Sequence, residues 1–500
     1  MEAQALIRVL YDAQVLGVPL TNQEIEHLTN DSRQIKENTC FIAIRGEQFD
    51  GHSAVEQVAK QGAKLVIVEE VQPAWLELPI TIVKVRSTFR AQAILANQYY
   101  QQPSEKLAVV AVTGTNGKTT ISNMISDILE KLGHKTGLIG TLRYKVDDHS
   151  YLPVNTTPDA LRLQELFNEM VEVGCQDAII EASSHALALG RLWYTDVDCA
   201  IFTNLAREHL NFHQTMENYA YAKSLLFAQL GQAFKQGRPR LAITNLDCPY
   251  GLQMVQASSA DVVTYSLEDE SATAYANHIE TDKSGLTFDL HYQEKAYRVQ
   301  LAIVGRYNVS NYLAAFLCLT AYYGFSPEQV VDATQAFKGV TGRMQTIDKG
   351  QNFEVILDYA HTPDAVEMVA SDLAKRKKNR LIIMTAHSGG NRDSAVRPQI
   401  GDIIFNYGDS IVLTSDNPRH EPIEKICREI QGNHTEKPCV IIPNREEAID
   451  YTLNLAEKDD IILLAGKAGE SYQIIGSQKF PYDEVKTVNE VLDKILGHKK

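Results

Sequence analysis

The stretch Thr113-Gly114-Thr115-Asn116-Gly117-Lys118-Thr119-Thr120 carries the strongest local chemistry in this 500-residue chain. Gly114 and Gly117 let the backbone turn tightly, so that N–H groups point inward at an anion, and a helix starting behind them adds a positive potential. Lys118 is placed to reach the terminal phosphates of a nucleotide and Thr119 to ligate magnesium. Val112 stands where the full G-x-x-x-x-G-K-[ST] pattern has its first glycine, so the strand–turn–helix context has to carry the nucleotide reading. The competing reading is a glycine turn with a surface lysine. Two further residues point at the same place. Glu181 ends the apolar run DAIIEA and His209 lies just beyond CAIFTN. In a parallel sheet both emerge at the carboxyl edge, where a carboxylate, an imidazole and the Thr119 hydroxyl would hold a divalent metal against ATP. Taken alone, His209 reads as a surface or helix-capping residue, and Glu208 beside it competes for the ligand role.

These residues need a scaffold, and the chain divides into three α/β units. Residues 1–104 hold CFIAI, KLVIVEE and TIVKV as strands, a helix AVEQVAKQG, and a helix from Thr88 to Tyr100 that leads into the polar linker QQPSEK. Residues 105–340 open with the buried-strand run LAVVAVT, the glycine turn and the helix ISNMISDILEKLG. Strands DAIIEA, CAIFTN and PRLAITN follow. Continuous apolar strands alternating with helices predict a mostly parallel sheet covered on both faces, as in P-loop ATPases. Residues 285–305 alternate more and predict a hairpin; Asn311–Tyr323 predicts a buried helix. Residues 341–500 repeat the rhythm with FEVILDYA, NRLIIMTA, DSIVLTSD, CVIIPN and DDIILLAG, a second doubly wound, Rossmann-like domain.

Composition excludes several classes. Hydrophobic residues make up 44% and charged residues 22%, a globular balance. The formal charge of -15 disfavours non-specific binding to nucleic acid or anionic membrane. Seven scattered cysteines, never in a Cys-x-x-Cys pair, argue against a disulfide framework or cysteine zinc cluster and fit a reducing, cytoplasmic setting. The apolar segment Tyr312–Phe325 is too short to cross a bilayer, and the first residues do not read as a signal peptide.

The motifs taken in order resemble the ATP-dependent Mur ligases, the amino-acid-adding enzymes of peptidoglycan precursor synthesis. DSR at 31–33 and DGH at 50–52 resemble a UDP-sugar-binding domain. TGTNGKTT, NTTPDALRLQ at 155–164, EASSHALALGR at 181–191, TNLAREHLNFH at 203–213 and YAKSLLF at 221–227 resemble the central ATPase domain. GRYNVSN at 305–311, TGRMQ at 341–345 and LDYAHTPDA at 357–365 resemble the adenosine-binding and hinge elements. GGNRD at 389–393, DNPR at 416–419 and GKAGE at 466–470 resemble the amino-acid site.

The resemblance implies roles. ATP and Mg2+ would be required, with UDP-N-acetylmuramoyl-L-alanyl-D-glutamate as acceptor and meso-2,6-diaminopimelate as incoming amine, on a monomeric chain. Magnesium would sit on Thr119, Glu181, His209 and Lys223, the last as a carbamate; by itself Lys223 reads as an ordinary helix lysine facing solvent. Ser32, Arg33, Thr156, Thr157, Ser184 and Arg191 would bind the UDP-sugar peptide, and hydroxyls and a forked guanidinium suit phosphate or carboxylate. Besides Gly114, Thr115, Asn116, Gly117, Lys118, Thr119 and Thr120, the nucleotide would meet Asn308, Arg343 on its phosphates, Asp358 on its ribose, and His361, for which a structural role in its turn competes. Asp416, Asn417, Arg419, Arg392, Gly466 and Glu470 would form the amino-acid site. There Arg419 faces a side-chain carboxylate that lysine lacks, and Glu470 accepts from an ammonium.

Several positions depart from the family pattern. Ala468 and Gly469 replace a glycine and a histidine; Ala395-Val396 replace a Gly-Lys before Arg397-Pro398; Asn444, Asn211 and Glu208 each replace aspartate. They leave open the same chemistry with L-lysine or another diamino acid, a paralogous ligase with a different acyl substrate, or, in another class, a silent nucleotide-binding partner.

Overall fold

The computed structural model describes residues 1–497 except 21–22, 47–48, 233, 236, 283–284 and 391. Three large sheets account for the three units, and the third unit adds a two-stranded one, Tyr472–Ile475 with Gln478–Pro481. The first has the order Gln14–Gly17, Thr81–Lys84, Ala63–Val68, Thr39–Ile42, His27–Thr29, parallel apart from its first pair. Its central strands are the apolar runs expected. The two edge strands are three and four residues long and were not foreseen from their composition.

The central sheet has eleven strands. Seven run parallel in the order Thr136–Ile139, Asp177–Glu181, Ala108–Thr113, Cys199–Phe202, Leu241–Asn245, Asp261–Ser266, Ala274–Asp282. The expected hairpin Gly285–Tyr292/Lys295–Leu301 extends one side as an antiparallel meander, and Tyr144–Val146/His149–Tyr151 extends the other. The opening strand shows why the run had to be continuously apolar. Val110 and Val112 pack on one face with Ile121, Ile125, Tyr312 and Phe316, while Val109 and Ala111 pack on the other with Leu166, Phe167 and Leu226. Both faces are helix-covered, and burying each valine side chain contributes roughly 1.5–3 kcal/mol. The expected buried helix starts earlier than read, at Tyr307, runs to Leu317 and continues through a π-helical turn to Tyr322.

The third sheet pairs Glu354–Asp358, Ile461–Ala465, Leu381–Thr385, Ser410–Leu413 and Cys439–Ile441 in parallel, with Gln345–Ile347 antiparallel at one edge. All seven cysteines are free thiols. Among the described residues no helix is long and apolar enough to cross a membrane.

Candidate active site

Parallel register sets the site. Glu181 pairs with Val112 and Phe202 with Thr113, so the residues that follow these strands leave the sheet together at its carboxyl edge. Gly114, at φ +149°, lies so close to the next strand that a Cβ there would fall 1.8 Å from Thr203 Oγ1. Gly117, at φ +87°, precedes the helix Lys118–Lys131; a Cβ on it would come within 2.5 Å of Asn311 Oδ1. Both glycines are thus required twice, by backbone angle and by crowding.

A cavity of about 440 Å³ opens over this edge. Thr115, Asn116, Gly117, Lys118, Thr119, Thr120, Thr156, Glu181, His209, Arg343, Asp358, His361 and Arg392, all among the candidate site residues, line it. The walls therefore come from the central and third units together. Thr119 Oγ1 donates to Glu181 Oε2 at 2.9 Å, and Glu181 also accepts from the hydroxyl and amide of Thr141. This carboxylate is held by three donors before any ligand arrives. Arg343 reaches across from the third unit, its Nη2 3.4 Å from Thr119 Oγ1 and its guanidinium 4.5 Å from the Tyr359 ring centroid.

Lys118 does not project freely. Its Nζ donates to the carbonyls of Gly114 and Thr115, each at 2.8 Å, and burial depresses its pKa. Lys223 departs further from a solvent-facing helix lysine. It is 1% exposed, donates to the same Gly114 carbonyl at 2.8 Å and lies over the Tyr219 ring. Burial, then the charge on Lys118, holds its pKa well below the ordinary value. His209 takes a left-handed backbone, φ +57°, and burial pulls its imidazole down to about 4, so it is neutral and free to ligate at physiological pH. Burial raises the Glu208 carboxyl, but the cationic neighbours around it, Lys118 among them, bring it below the usual range. Among the described residues no three His, Cys, Asp or Glu side chains converge as a metal cluster. The oxygen donors of Thr119 and Glu181 do suit Mg2+, which takes few protein ligands and keeps water and phosphate as the rest.

Several residues expected to contact ligands are bonded within the chain. Asn308 does not line the cavity; its amide is buried, donating to the Val304 carbonyl and accepting from Asn311, which does line it. Thr157 is fully buried, donating to the Glu181 carbonyl at 2.6 Å, and Ser184 meets His213 Nε2 at 2.9 Å, so both hydroxyls serve the scaffold. Arg191 donates to the Thr157 carbonyl. The Asp358 carboxylate accepts the amides of Met344 and Ala360, a clamp on the chain beside Arg343. Ser32 and Arg33 lie in the first unit outside this cavity, where Arg33 pairs with Asp31 at 2.8 Å while its own side chain stays 86% exposed. Sequence reasoning did not single out Asn245, Asp247, Tyr265, Leu267 or Asn311, which form one wall. The TNLD following the strand Leu241–Asn245 was the available signal.

The third unit builds a second, connected arrangement. Arg419, also left-handed at φ +52°, donates to the Gly389 carbonyl at 3.0 Å. Among the described residues it has no carboxylate within ion-pair distance, and burial followed by the charge on Arg392 depresses its pKa. Among the described residues neither guanidinium has an ion-pair partner, an arrangement suited to an anion. Arg392 itself borders both the main cavity and a more open one of about 520 Å³ beside Gly390, His420 and Lys425. Asn391, within GGNRD, lies outside the described residues. Glu470, expected to accept from an ammonium, already has partners within the chain. Its Oε2 accepts from Lys467 at 2.7 Å and Asn417 at 2.9 Å, leaving Oε1 toward the hydroxyls of Tyr359 and Tyr472. Lys467, fully buried and unforeseen, also holds Asn417 Oδ1 and pairs with Asp416 at 3.1 Å. Gly466, at φ +95°, turns the chain out of its strand into this loop.

Two of the departures from the family pattern, Asn444 and the Ala468–Gly469 loop, have physical accounts here. Asn444 caps the helix Arg445–Asn454 by accepting from Glu446 and Glu447 amides. Arg397 faces inward, fully buried, bidentate on Glu421 and paired with Glu429. A Cβ on Gly342 would fall 2.3 Å from the Ala468 carbonyl carbon, and one on Gly469 3.2 Å from Leu142 Cδ2, so this short loop packs directly on the hinge and on the central unit.

Comparison with known proteins agrees along the whole length. Residues 24–100 match the Mur ligase family catalytic domain, 112–319 the Mur ligase middle domain and 342–468 the Mur ligase glutamate ligase domain. A Bacillus cereus protein named UDP-N-acetylmuramoyl-L-alanyl-D-glutamate–2,6-diaminopimelate ligase is 38% identical over 500 residues, covering 100% of both chains. A Geobacillus kaustophilus protein of the same name is 40% identical over 471 residues, covering 93% of this chain and 94% of that one. A solved structure of a ligase so named aligns over 100% of both chains with a TM-score of 0.69 and 29% identity. MurF from Thermotoga maritima in complex with ADP shares the fold, with a TM-score of 0.67 at 17% identity. On its sequence, matched along nearly its whole length, this chain belongs to the Mur ligase family.

Proposed function

We propose that the protein joins meso-2,6-diaminopimelate to the D-glutamate side-chain carboxylate of UDP-N-acetylmuramoyl-L-alanyl-D-glutamate, in the cytoplasm, at the expense of ATP. The observation that carries this reading is that Arg419, which among the described residues has no carboxylate within ion-pair distance, stands beside Arg392, and that Arg392 lines the same cavity as the phosphate loop. A carboxylate at the far end of the incoming amino acid supplies the missing anion. A lysine side chain would put an ammonium there instead, a repulsive match.

Residues of this chain divide the reaction as follows. The turn Gly114–Thr120 presents its amides to the triphosphate, and Lys118 exchanges its loop carbonyls for phosphate oxygens. Thr119 and Glu181, with neutral His209 and a carbamate on Lys223, would hold Mg2+, which when bound screens the charge between phosphate and carboxylate. The buried amine of Lys223 favours carbamate formation because it is poised to be unprotonated. Arg343 stabilises charge gathered on the transferring phosphoryl group. The glutamate carboxylate oxygen attacks the γ-phosphorus and ADP leaves, giving an acyl phosphate. The diaminopimelate amine then attacks the acyl carbon, loses a proton, and phosphate departs. Walls from two units close over the reacting atoms, which positions them and excludes water.

The test omits the amino acid. ADP formation that depends on UDP-dipeptide supports the acyl-phosphate route, and Lys118→Ala should lower it by about 10³-fold or more. Unchanged ligation by that variant defeats the assignment. Supplying L-lysine in place of diaminopimelate separates the two amines: efficient lysine turnover reverses the role given to Arg419.

A further inference from the structure

Arg343 belongs to the phosphate end of the cleft and Glu470 to the amino-acid end, and a single side chain touches both. Tyr359 carries the Arg343 guanidinium on its ring, 4.5 Å from the centroid, and its hydroxyl donates to Glu470 Oε1 at 3.3 Å. Its backbone amide donates to the Gly342 carbonyl at 2.9 Å, and Gly342 packs without room for a side chain against Ala468. The hinge carrying Arg343, the strand end carrying Tyr359 and the loop carrying Glu470 therefore meet at one point. Lys467 and Asn417 fix the other oxygen of Glu470, so Oε1, which also takes a longer hydrogen bond of 3.5 Å from the Tyr472 hydroxyl, is the one left to choose between the Tyr359 phenol and a ligand.

We propose that Tyr359 is a positioning residue that couples nucleotide binding to the amino-acid site. This rests on the reading above, that the cleft takes ATP at one end and a diamino acid at the other. A cation on the face of a phenol withdraws electron density and strengthens its O–H as a donor. Without nucleotide, Tyr359 in this polarised state competes for Glu470 Oε1. When phosphate draws the guanidinium off the ring, the phenol weakens as a donor and Glu470 is released to the incoming ammonium. Nucleotide therefore tightens the amino acid, and linkage requires the amino acid to tighten nucleotide by the same factor.

The experiment uses the full chain with UDP-dipeptide present throughout. Calorimetry gives the Kd of meso-diaminopimelate with and without a β,γ-methylene ATP analogue. The wild-type ratio should be about fivefold, the low end of usual couplings. Tyr359→Phe keeps the ring and loses the hydroxyl, so diaminopimelate should bind about fivefold tighter without nucleotide and the ratio should fall to about one. A merely structural tyrosine would weaken binding in both states. Tyr359→Phe retaining the wild-type ratio overturns the proposal, and so does a wild-type ratio of one. Should Tyr359→Phe not fold, Glu470→Gln decides: it must remove the reciprocal tightening of the analogue by diaminopimelate, and retention of that tightening overturns the coupling. A wild type that forms no ADP defeats the ligase reading instead; one that turns over normally with no coupling defeats only this inference.

Discussion

The two ends of the cleft bind charge by different means. At the phosphate end the backbone does much of the work: two glycines, a helix start and a strand register place the loop, and Glu181 is fastened by three hydrogen bonds at a sheet edge. At the amino-acid end, side chains hold other side chains. Lys467, buried, ties Asp416, Asn417 and Glu470 together, while Arg397, also buried, ties Glu421 and Glu429 beneath Gly390. A site built on backbone register tolerates loss of one side chain in shape but not in chemistry. A site built on ion pairs is exposed in both, and also to pH.

Substituting one charge at each end tests that contrast. Glu181→Gln keeps the shape of the side chain and two of its three acceptor contacts, so the fold and the affinity for UDP-dipeptide should stay close to wild type. The missing anion beside Thr119 should lower kcat by about 10³-fold, measured as ADP release at saturating substrates. Arg419→Met should act on recognition. Its expected signature is a KM for diaminopimelate raised about 100-fold, the loss of a charged pairing, with the KM for ATP changed less than about threefold. If Glu181→Gln instead raised the amino-acid KM, or Arg419→Met lowered kcat alone, the division between the two ends would be wrong.

The contrast also governs how much could be read in advance. Strands such as Ala108–Thr113 and Ile461–Ala465 are buried on both faces and announce themselves as unbroken apolar runs. The edge strands Gln14–Gly17 and His27–Thr29 lack that pattern because each has few neighbours to bury against. The phosphate loop was legible since its chemistry lies in eight consecutive residues. Lys223 and Asn308 were not, for opposite reasons. Burial in three dimensions takes Lys223 from the expected surface to a position against Gly114 and Tyr219, and a local bond to Val304 makes Asn308 a brace for Asn311. The Lys467 network joins residues fifty positions apart, and no local pattern encodes it.

Acid should separate the ends further. The Arg397 guanidinium beside Glu421 holds that carboxyl down to about 2 from its ordinary 4.5. A folded value below the unfolded one means that the pair stabilises the protein fully above about pH 4.5 and loses this contribution as pH falls through about 2. Arg397→Met should therefore cost about 2–3 kcal/mol at pH 7, below the usual figure for a broken buried pair because both glutamates keep a face to solvent. The difference from wild type should shrink steadily between pH 4.5 and 2 in thermal unfolding. A gap that stays constant over that range would mean that packing of Arg397, not its charge, supports the loops around Arg419.

The smallest effect is expected at Asn444, one of the departures from the family pattern. Its side-chain oxygen accepts from the amides of Glu446 and Glu447 at 2.9 and 3.1 Å, which is what an aspartate would do at this helix start. Asn444→Asp adds a negative charge, favourable to the helix dipole but placed beside two glutamates in the first turn. These terms oppose each other, so stability should move by less than about 0.5 kcal/mol and the diaminopimelate KM by less than about twofold. The neighbouring Arg445 already has its counter-ion in Glu484, at 2.8 Å and fully buried with it, so the new carboxylate has no claim on that guanidinium. A large change in KM would show that residue 444 reaches the amino-acid site through Arg445 and its bond to the Ser415 carbonyl, and the ion-pair network at this end would then extend one helix further than its contacts indicate.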